Sequence, residues 1–250
     1  MLGSQRRTHI LETLKREGQA LAGVLARELD VSEDTIRRDM REMAAQGLIK
    51  RVHGGALPVS PELPDFTARR SVASAEKAAL GARAAALVKP GQMVFLDGGT
   101  TTAEIARQLP RGMALTVATH SPTIASEFEH RPEVEVILIG GRLYKHSMVA
   151  VGAQAMAAID TIRPDLFFLG VTAVHPGLGL TTGDFEEAAI KRHILQASAE
   201  TYVAVTEEKI DAISPCRIAP IEAIAGLIVP DGIDEERLSP YREAGVTLVA

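Results

Sequence analysis

The sequence predicts an α/β protein in two parts, a small helical head with a short β wing and a larger α/β body on a mostly parallel sheet. Three observations carry this. Residues 1–57 hold three amphipathic helical patterns in quick succession. Pro58, Pro61 and Pro64 then break the chain within ten residues, a pattern incompatible with helix and suited to a semi-rigid connector. Further on, continuous apolar strands alternate with amphipathic helices, the signature of a sheet covered on both faces. The expected divisions are 1–57, a connector over 58–73, and 74–250.

The first helix of the head carries Ile10, Leu11 and Leu14 between Arg6/Arg7 and Lys15/Arg16, and Gly18 stops it. The second, near 20–29, presents Leu21, Val24, Leu25 and Leu29, with Gly23 costing it about 1 kcal/mol against alanine. Ser32 is a good N-cap for the third, and Glu33 and Asp34 suit its positive first turn. Ile36, Met40 and Met43 form the buried stripe of that helix, which leaves Thr35, Arg37, Arg38 and Arg41 facing out. Asp34–Arg38 and Arg38–Glu42 are spaced for ion pairs. A short Leu48-Ile49 strand, then Lys50, Arg51 and a turn at His53-Gly54-Gly55, make the wing.

Two helices and a tight turn, with hydroxyls and arginines near the start of the second, have helix-turn-helix geometry. Ser32, Thr35, Arg37, Arg38 and Arg41 would meet base edges and phosphates of duplex DNA, with Lys50, Arg51 and His53 along the backbone. The alternative is a three-helix bundle whose arginines form a solvated face. Net charge, −5, argues against a polyanionic partner, but the head has ten Lys/Arg against eight Asp/Glu and the rest 17 against 24. Screening over about 8–10 Å lets a mildly basic head work beside an acidic body.

In the body, helix is expected over 74–88, from Thr102, over 122–129, 184–198 and 234–243. Strands are expected at "MVFLD", "ALTVAT", "VEVILIG", "DLFFLG", "TYVAV", "AGLIV" and "VTLVA". Ligands of such sheets sit at the carboxyl ends of the strands. There "FLDGGTTT" places Asp97, then Gly98 and Gly99, which let backbone approach an anion, then Thr100, Thr101 and Thr102 before a helix N-terminus. Other strand ends and loops supply His120 and Ser121, Gly140 and Gly141, Thr181, Glu186 and Glu187, Lys191, and Lys209. Hydroxyls, carboxylates and a lysine suit a phosphorylated sugar or polyol. The alternative is a glycine turn with a threonine cap.

"GLGLTTG" lacks the glycine spacing of a dinucleotide loop. The histidines lack metal-ligand spacing, and no nucleophile elbow or P-loop is present. No cofactor, metal or catalytic residue is therefore expected. A single cysteine, Cys216, excludes an internal disulfide and fits a reducing compartment. No run nears the roughly 20 apolar residues of a membrane span, and the charged first residues lack a secretion signal's apolar core. The expectation is a cytoplasmic protein without a membrane partner.

The run "RTHILETL…LARELDVSEDTIRRDMREMAAQGLIKRVHGGA" resembles the winged helix-turn-helix of the DeoR family of bacterial regulators. Ser32, Thr35, Ile36, Arg37, Arg38, Asp39 and Met40 match the recognition helix, and "RVHGGA" matches the wing. "EKAALGARAAALVKPGQMVFLDGGTTTAEIA", "GGRL", "GLGLTT…EEAAIKR" and the Lys209 region resemble that family's sensor domain, so the likeness covers nearly the whole chain. It implies a sensor fold related to ribose-5-phosphate isomerase and coenzyme-A transferases, and a phosphorylated-sugar effector. Asp97 to Thr101, Glu186 or Glu187, Lys191 and Lys209 would be the inherited site.

The chain departs from the family at His120, in Gly170-Val171-Thr172-Ala173, and in Thr206-Glu207-Glu208-Lys209. At Thr172 and Thr206 it lacks a carboxylate that many relatives carry. These changes spare the phosphate loop and alter the polyol end, implying a different effector. The overall expectation is a repressor of a sugar or polyol catabolic operon, a homodimer or homotetramer on operator DNA, with Asp97 gripping a sugar hydroxyl. The alternative is a sugar-phosphate isomerase with an appended head, in which Asp97 or Glu187 with Lys209 would move a proton.

Overall fold

Helix α1 (Gly3–Glu17) ends at Gly18, whose left-handed backbone (φ 69°) returns its N–H to Leu14 O at 2.9 Å. These details come from a computed structural model, which describes residues 2–59 and 66–250. Strand β1 (Ala20–Leu21), α2 (Ala22–Glu28) and α3 (Glu33–Ala45) follow. Ser32 caps α3 by accepting the Thr35 N–H at 3.2 Å. Ile36, Met40 and Met43 are buried against Ile10, Leu14 and Leu25, as their spacing requires. The buried Asp39 is held by Arg6 Nε at 2.7 Å, locking α3 onto α1.

The wing strands are β2 (Lys50–Val52) and β3 (Gly55–Leu57), in the sheet order β1-β3-β2. The expected Leu48-Ile49 strand is thus displaced: Ile49 drops into the core, Leu48 stays exposed, and the cations themselves form the strand. The ion-pair pattern on α3 also differs. Arg37 pairs with Glu33 at 2.6 Å, while Glu42 goes to Arg7 at 3.5 Å. Within the expected connector, Pro61 and Pro64 lie outside the described residues, and Phe66–Arg69 forms α4 with Phe66 buried.

The body runs α5 (Ser74–Ala85), β4 (Met93–Leu96), α6 (Thr100–Gln108), β5 (Leu115–Thr119), α7 (Pro122–Ala125) and β6 (Val134–Leu138). A hairpin, β7 (Arg142–Tyr144) and β8 (Val149–Val151), leads to α8 (Ala153–Ile159) and β9 (Leu166–Phe168). Next come β10 (Ala173–His175), β11 (Gly179–Thr182), α9 (Phe185–Ala197), β12 (Glu200–Ala204) and β13 (Cys216–Ala219). Strand β14 (Gly226–Ile228), α10 (Glu235–Glu243) and β15 (Thr247–Val249) close the chain.

Seven strands form one parallel sheet in the order β15-β14-β12-β9-β4-β5-β6. Alternation along each strand divides the core. Val94, Leu96 and Phe168 face α5 and α6, whereas Phe95 and Phe167 face α8 and α9. The chain leaves β4 toward β6 on one side and β9 toward β15 on the other, so the switch point lies between β4 and β9. Strands β10, β11 and β13 form a separate antiparallel sheet that sequence periodicity does not reveal. Helix α6 starts at Thr100, two residues before the expected Thr102.

Candidate functional site

A cavity of about 530 Å³ opens at the switch point, over the carboxyl ends of β4, β9 and β12. Gly98 to Thr102 form one wall. Here Gly99 (φ 136°) is the N-cap of α6, whose first amides have no intrahelical partners, and the positive end of the helix faces the cavity. A side chain at 98 would strike Val149, with a Cβ only 2.1 Å from its Cγ1, and a Cβ at Gly170 would lie 2.8 Å from Gly98 O. Both glycines are required by this close approach. Lys77, Arg69 and Lys209 add cations to the same lining.

Asp97 does not reach the cavity. It is fully buried behind the loop, and protein donors occupy both its oxygens. Oδ1 accepts from Gly98 N–H and faces His120 Nε2, each at 2.7 Å. Oδ2 accepts from Lys191 Nζ and Gly170 N–H, each at 2.8 Å. Burial pushes the carboxyl up, but Lys191 and His120 outweigh it and hold Asp97 well below the usual carboxylate range. The expected grip on a sugar hydroxyl is therefore corrected. A carboxylate saturated this way is a framework anion that fixes the ends of β4, β9 and α9.

Lys191 is half of that framework. Its ammonium donates to Asp97, to Gly170 O at 2.6 Å and to Glu187 Oε1 at 3.3 Å, which uses all three protons. Burial pushes its pKa down, and the two carboxylates more than reverse this. Glu187 is stabilised in turn: burial raises it, and Lys191 with hydrogen bonds from Thr182 and Ser147 brings it below its ordinary value. Lys191 and Glu187 still line the cavity, beside Thr172 and Thr182. Lys209 differs. Its ammonium donates to Val171 O at 2.8 Å, and burial, with Arg69, lowers its pKa to about 8.

Of the body residues expected at the site, Gly98, Gly99, Thr100, Thr101, Thr102, Glu187, Lys191 and Lys209 come together. His120 sits beneath the floor, bridging Asp97 and Ala150 O. Ser121 is buried against Met148 O, and Thr181 against Ala173 O. Gly140 and Gly141 are exposed in the turn before β7, away from the cavity, and Glu186 points to solvent. They were expected because they follow strands, but β6 is the sheet edge and only the central strands open onto the switch point. Sequence reasoning missed Lys77, Arg69, Tyr144, His146 and Ser147 on the cavity wall, where Glu208 also lies. Lys77 in "EKAAL" was legible only as one more helical lysine.

On the head, Ser32, Arg37, Arg38, Arg41, Lys50, Arg51 and His53 are all exposed and Thr35 is partly so. They cluster on the N-terminal part of α3 and on the wing, as readers of a major groove and its flanking backbone need. Among the described residues no group of three or more His, Cys, Asp or Glu side chains is placed to hold a metal ion. Nor is any described helix long and apolar enough to cross a membrane.

Comparison with known families and proteins matches the chain in two segments. Residues 6–62 match the model of a DeoR-like helix-turn-helix domain, and residues 72–231 that of the DeoR C-terminal sensor domain. The chain is 34% identical over 251 residues to the HTH-type transcriptional regulator GlpR of Haloferax volcanii, covering 100% of this chain and 98% of that protein. It is 30% identical to the glycerol-3-phosphate regulon repressor of Escherichia coli K12 over 210 residues, 84% of this chain and 83% of the other. Among solved structures, ribose 5-phosphate isomerase A of Methanocaldococcus jannaschii superposes with a TM-score of 0.40 at 19% identity, covering 54% of each chain.

Proposed function

This chain belongs to the DeoR family and is a DNA-binding transcriptional regulator, and we propose that its cavity holds a phosphorylated sugar or polyol whose binding alters operator affinity. One observation carries the effector class. At one wall of the cavity the free amides of α6, three threonine hydroxyls and the ammonium groups of Lys77 and Lys209 converge. A dianionic phosphoester satisfies all of these. Thr172, Ser147, Thr182 and Glu187, which also line the cavity, offer the donors and acceptors that a polyol chain takes.

The isomerase alternative needs a carboxylate that touches substrate and is free to take a proton. Asp97 is sealed and saturated, and Glu187 is ion-paired with Lys191, which supports a framework role for the first and a binding role for the second. Repression fits the Escherichia coli relative, itself a repressor. Two heads in a homodimer or homotetramer would engage half-sites about one turn apart, in the cytoplasm where the DNA is.

The test is a thermal-shift panel of triose, pentose and hexose phosphates. A true effector at 100 times its dissociation constant adds about 2.7 kcal/mol of stability. It should also change retention of the promoter fragment in a gel shift, and Thr101→Val should abolish that response without weakening DNA binding. Turnover of any panel member at useful rates, or no stabilisation by any, rejects the proposal.

A further inference from the structure

Ser214 lines the cavity and is 4% exposed, yet its hydroxyl finds no hydrogen-bond partner among the described residues. A buried hydroxyl left so costs about 1–3 kcal/mol. The Ser214 N–H donates to Thr181 Oγ1 at 2.9 Å. Only the side chain is without an engagement.

The segment that carries Ser214 follows an unusual course. Lys209 lies in the cavity wall. Asp211 then turns the chain away with a left-handed backbone (φ 64°), clamped by Arg237 Nε at 2.9 Å and by the Tyr241 hydroxyl at 3.2 Å. Ala212 lines a groove against Leu11 and Lys15 of α1. Ile213 lies over Gly18, where an added Cβ would come 2.9 Å from its Cδ1. Ser214 and Pro215 bring the chain back to the cavity. A few residues thus touch the cavity, the head, and the cavity again.

A second connection runs alongside. The β10–β11 hairpin begins beside Thr172 and ends at Thr182, both on the cavity wall. At its tip the buried His175 donates from Nε2 to Lys15 O at 2.6 Å, while its Nδ1 accepts from the Gly177 and Leu178 N–H groups. Leu178 covers Gly18, and Ile210 bridges to Val174. The C-terminal end of α1 therefore rests on two pieces of chain that both originate in the cavity.

We propose that the Ser214 hydroxyl turns into the cavity to bond a hydroxyl of the sugar moiety of a bound phosphoester, and that this movement shifts residues 211–213 and with them the end of α1. The inference rests on the cavity being a sugar-phosphate site. It assigns Ser214 to recognition and residues 211–213 to transmission. Coupling of this kind is reciprocal, so DNA bound at the head must alter effector affinity by the same factor.

The test uses the full chain, with inorganic phosphate as the anion-only probe and glycerol 3-phosphate, ribose 5-phosphate and fructose 6-phosphate as the others. Calorimetric titration is followed by hydrogen exchange of the α1 amides. Ser214→Ala should melt at or above the wild-type temperature, because its buried hydroxyl has no partner to lose. It should bind inorganic phosphate unchanged and the best sugar phosphate about five- to tenfold more weakly, the loss of one hydrogen bond. Ile213→Ala should keep sugar-phosphate affinity but lose the exchange change that ligand produces near residues 14–18. Undiminished sugar-phosphate binding by Ser214→Ala overturns the contact. An α1 indifferent to saturating ligand in the wild type overturns the transmission. A wild type that binds none of the probes removes the cavity reading, and this inference with it.

Discussion

The head and the cavity both present cations to phosphate, but under opposite conditions. On α3, Arg37, Arg38 and Arg41 stand in solvent with a single ion pair between them and the described residues, Arg37 to Glu33. In the body, Lys77 and Lys191 are 5% and 3% exposed, and each is tied to carbonyls or carboxylates. DNA comes with its own solvent and counterions, so exposed arginines suffice, and their release of counterions drives binding. A small effector must be enclosed, and an enclosed cation needs internal acceptors before any ligand arrives. For Lys191 these are the carboxylates of Asp97 and Glu187. Residues that read as ligand contacts in the sequence prove to be the counter-charges that let the contacts exist.

The largest effect should come from breaking that internal balance. Lys191→Met leaves Asp97 buried without its lysine partner, a change that typically costs about 3–5 kcal/mol. Denaturant unfolding should show it as a lowered midpoint for the body. The pH dependence follows from the directions. Asp97 is depressed, so its contribution is present above the unfolded carboxylate value of about 3.9 and fades as pH falls. Lys191 is raised, so its contribution is present below about 10.4 and fades as pH climbs through its folded value. If Lys191→Met unfolds at wild-type denaturant, Asp97 is not the internal counter-charge described.

On the head the same removal of a cation should cost nothing in stability and fall on DNA instead. Arg38 is exposed, so Arg38→Ala should stay within about 0.5 kcal/mol in unfolding. If it makes a base contact, operator affinity should drop by about 1–3 kcal/mol. A gel shift at fixed salt reads this. An unchanged operator complex would mean that α3 is not the reader, and the contrast between the two regions would collapse.

That contrast also explains what the sequence could and could not reveal. Helices α1 to α3 were legible because Ile10, Leu14, Ile36, Met40 and Met43 repeat at helical spacing and are buried as that spacing demands. The loop from Gly98 to Thr102 was legible for a similar local reason, a strand meeting a helix through glycines. The rest depends on contacts across the sheet. Asp97 meets Lys191 across 94 positions, and whether its carboxylate faces ligand or protein is decided by Gly170 and His120 on neighbouring strands. Strands of three or four residues such as β10 and β13 are too short to show a period. Ser214 gives no sequence signal at all, because its interest lies in the absence of a partner.

The smallest effect expected is the most specific to an enclosed cation. Burial, with Arg69 and Lys77 nearby, lowers Lys209 to about 8, against Glu208, which opposes the shift. Its folded value lies below the unfolded 10.4, so the lysine detracts from stability below pH 8, and stability should be regained as pH rises from 8 toward 10.4. A bound phosphate reverses the preference by favouring the ammonium. Phosphate is already dianionic in this range, so its affinity should fall with pH above 8, by no more than tenfold per unit since one proton is involved. Lys209→Met should bind more weakly at pH 7 and show no such slope. The head offers the internal control: arginines keep their charge throughout, and operator affinity should stay nearly flat from pH 8 to about 9.5. A phosphate titration that is equally flat would place Lys209 outside the anion site, leaving the α6 amides and threonines to hold it.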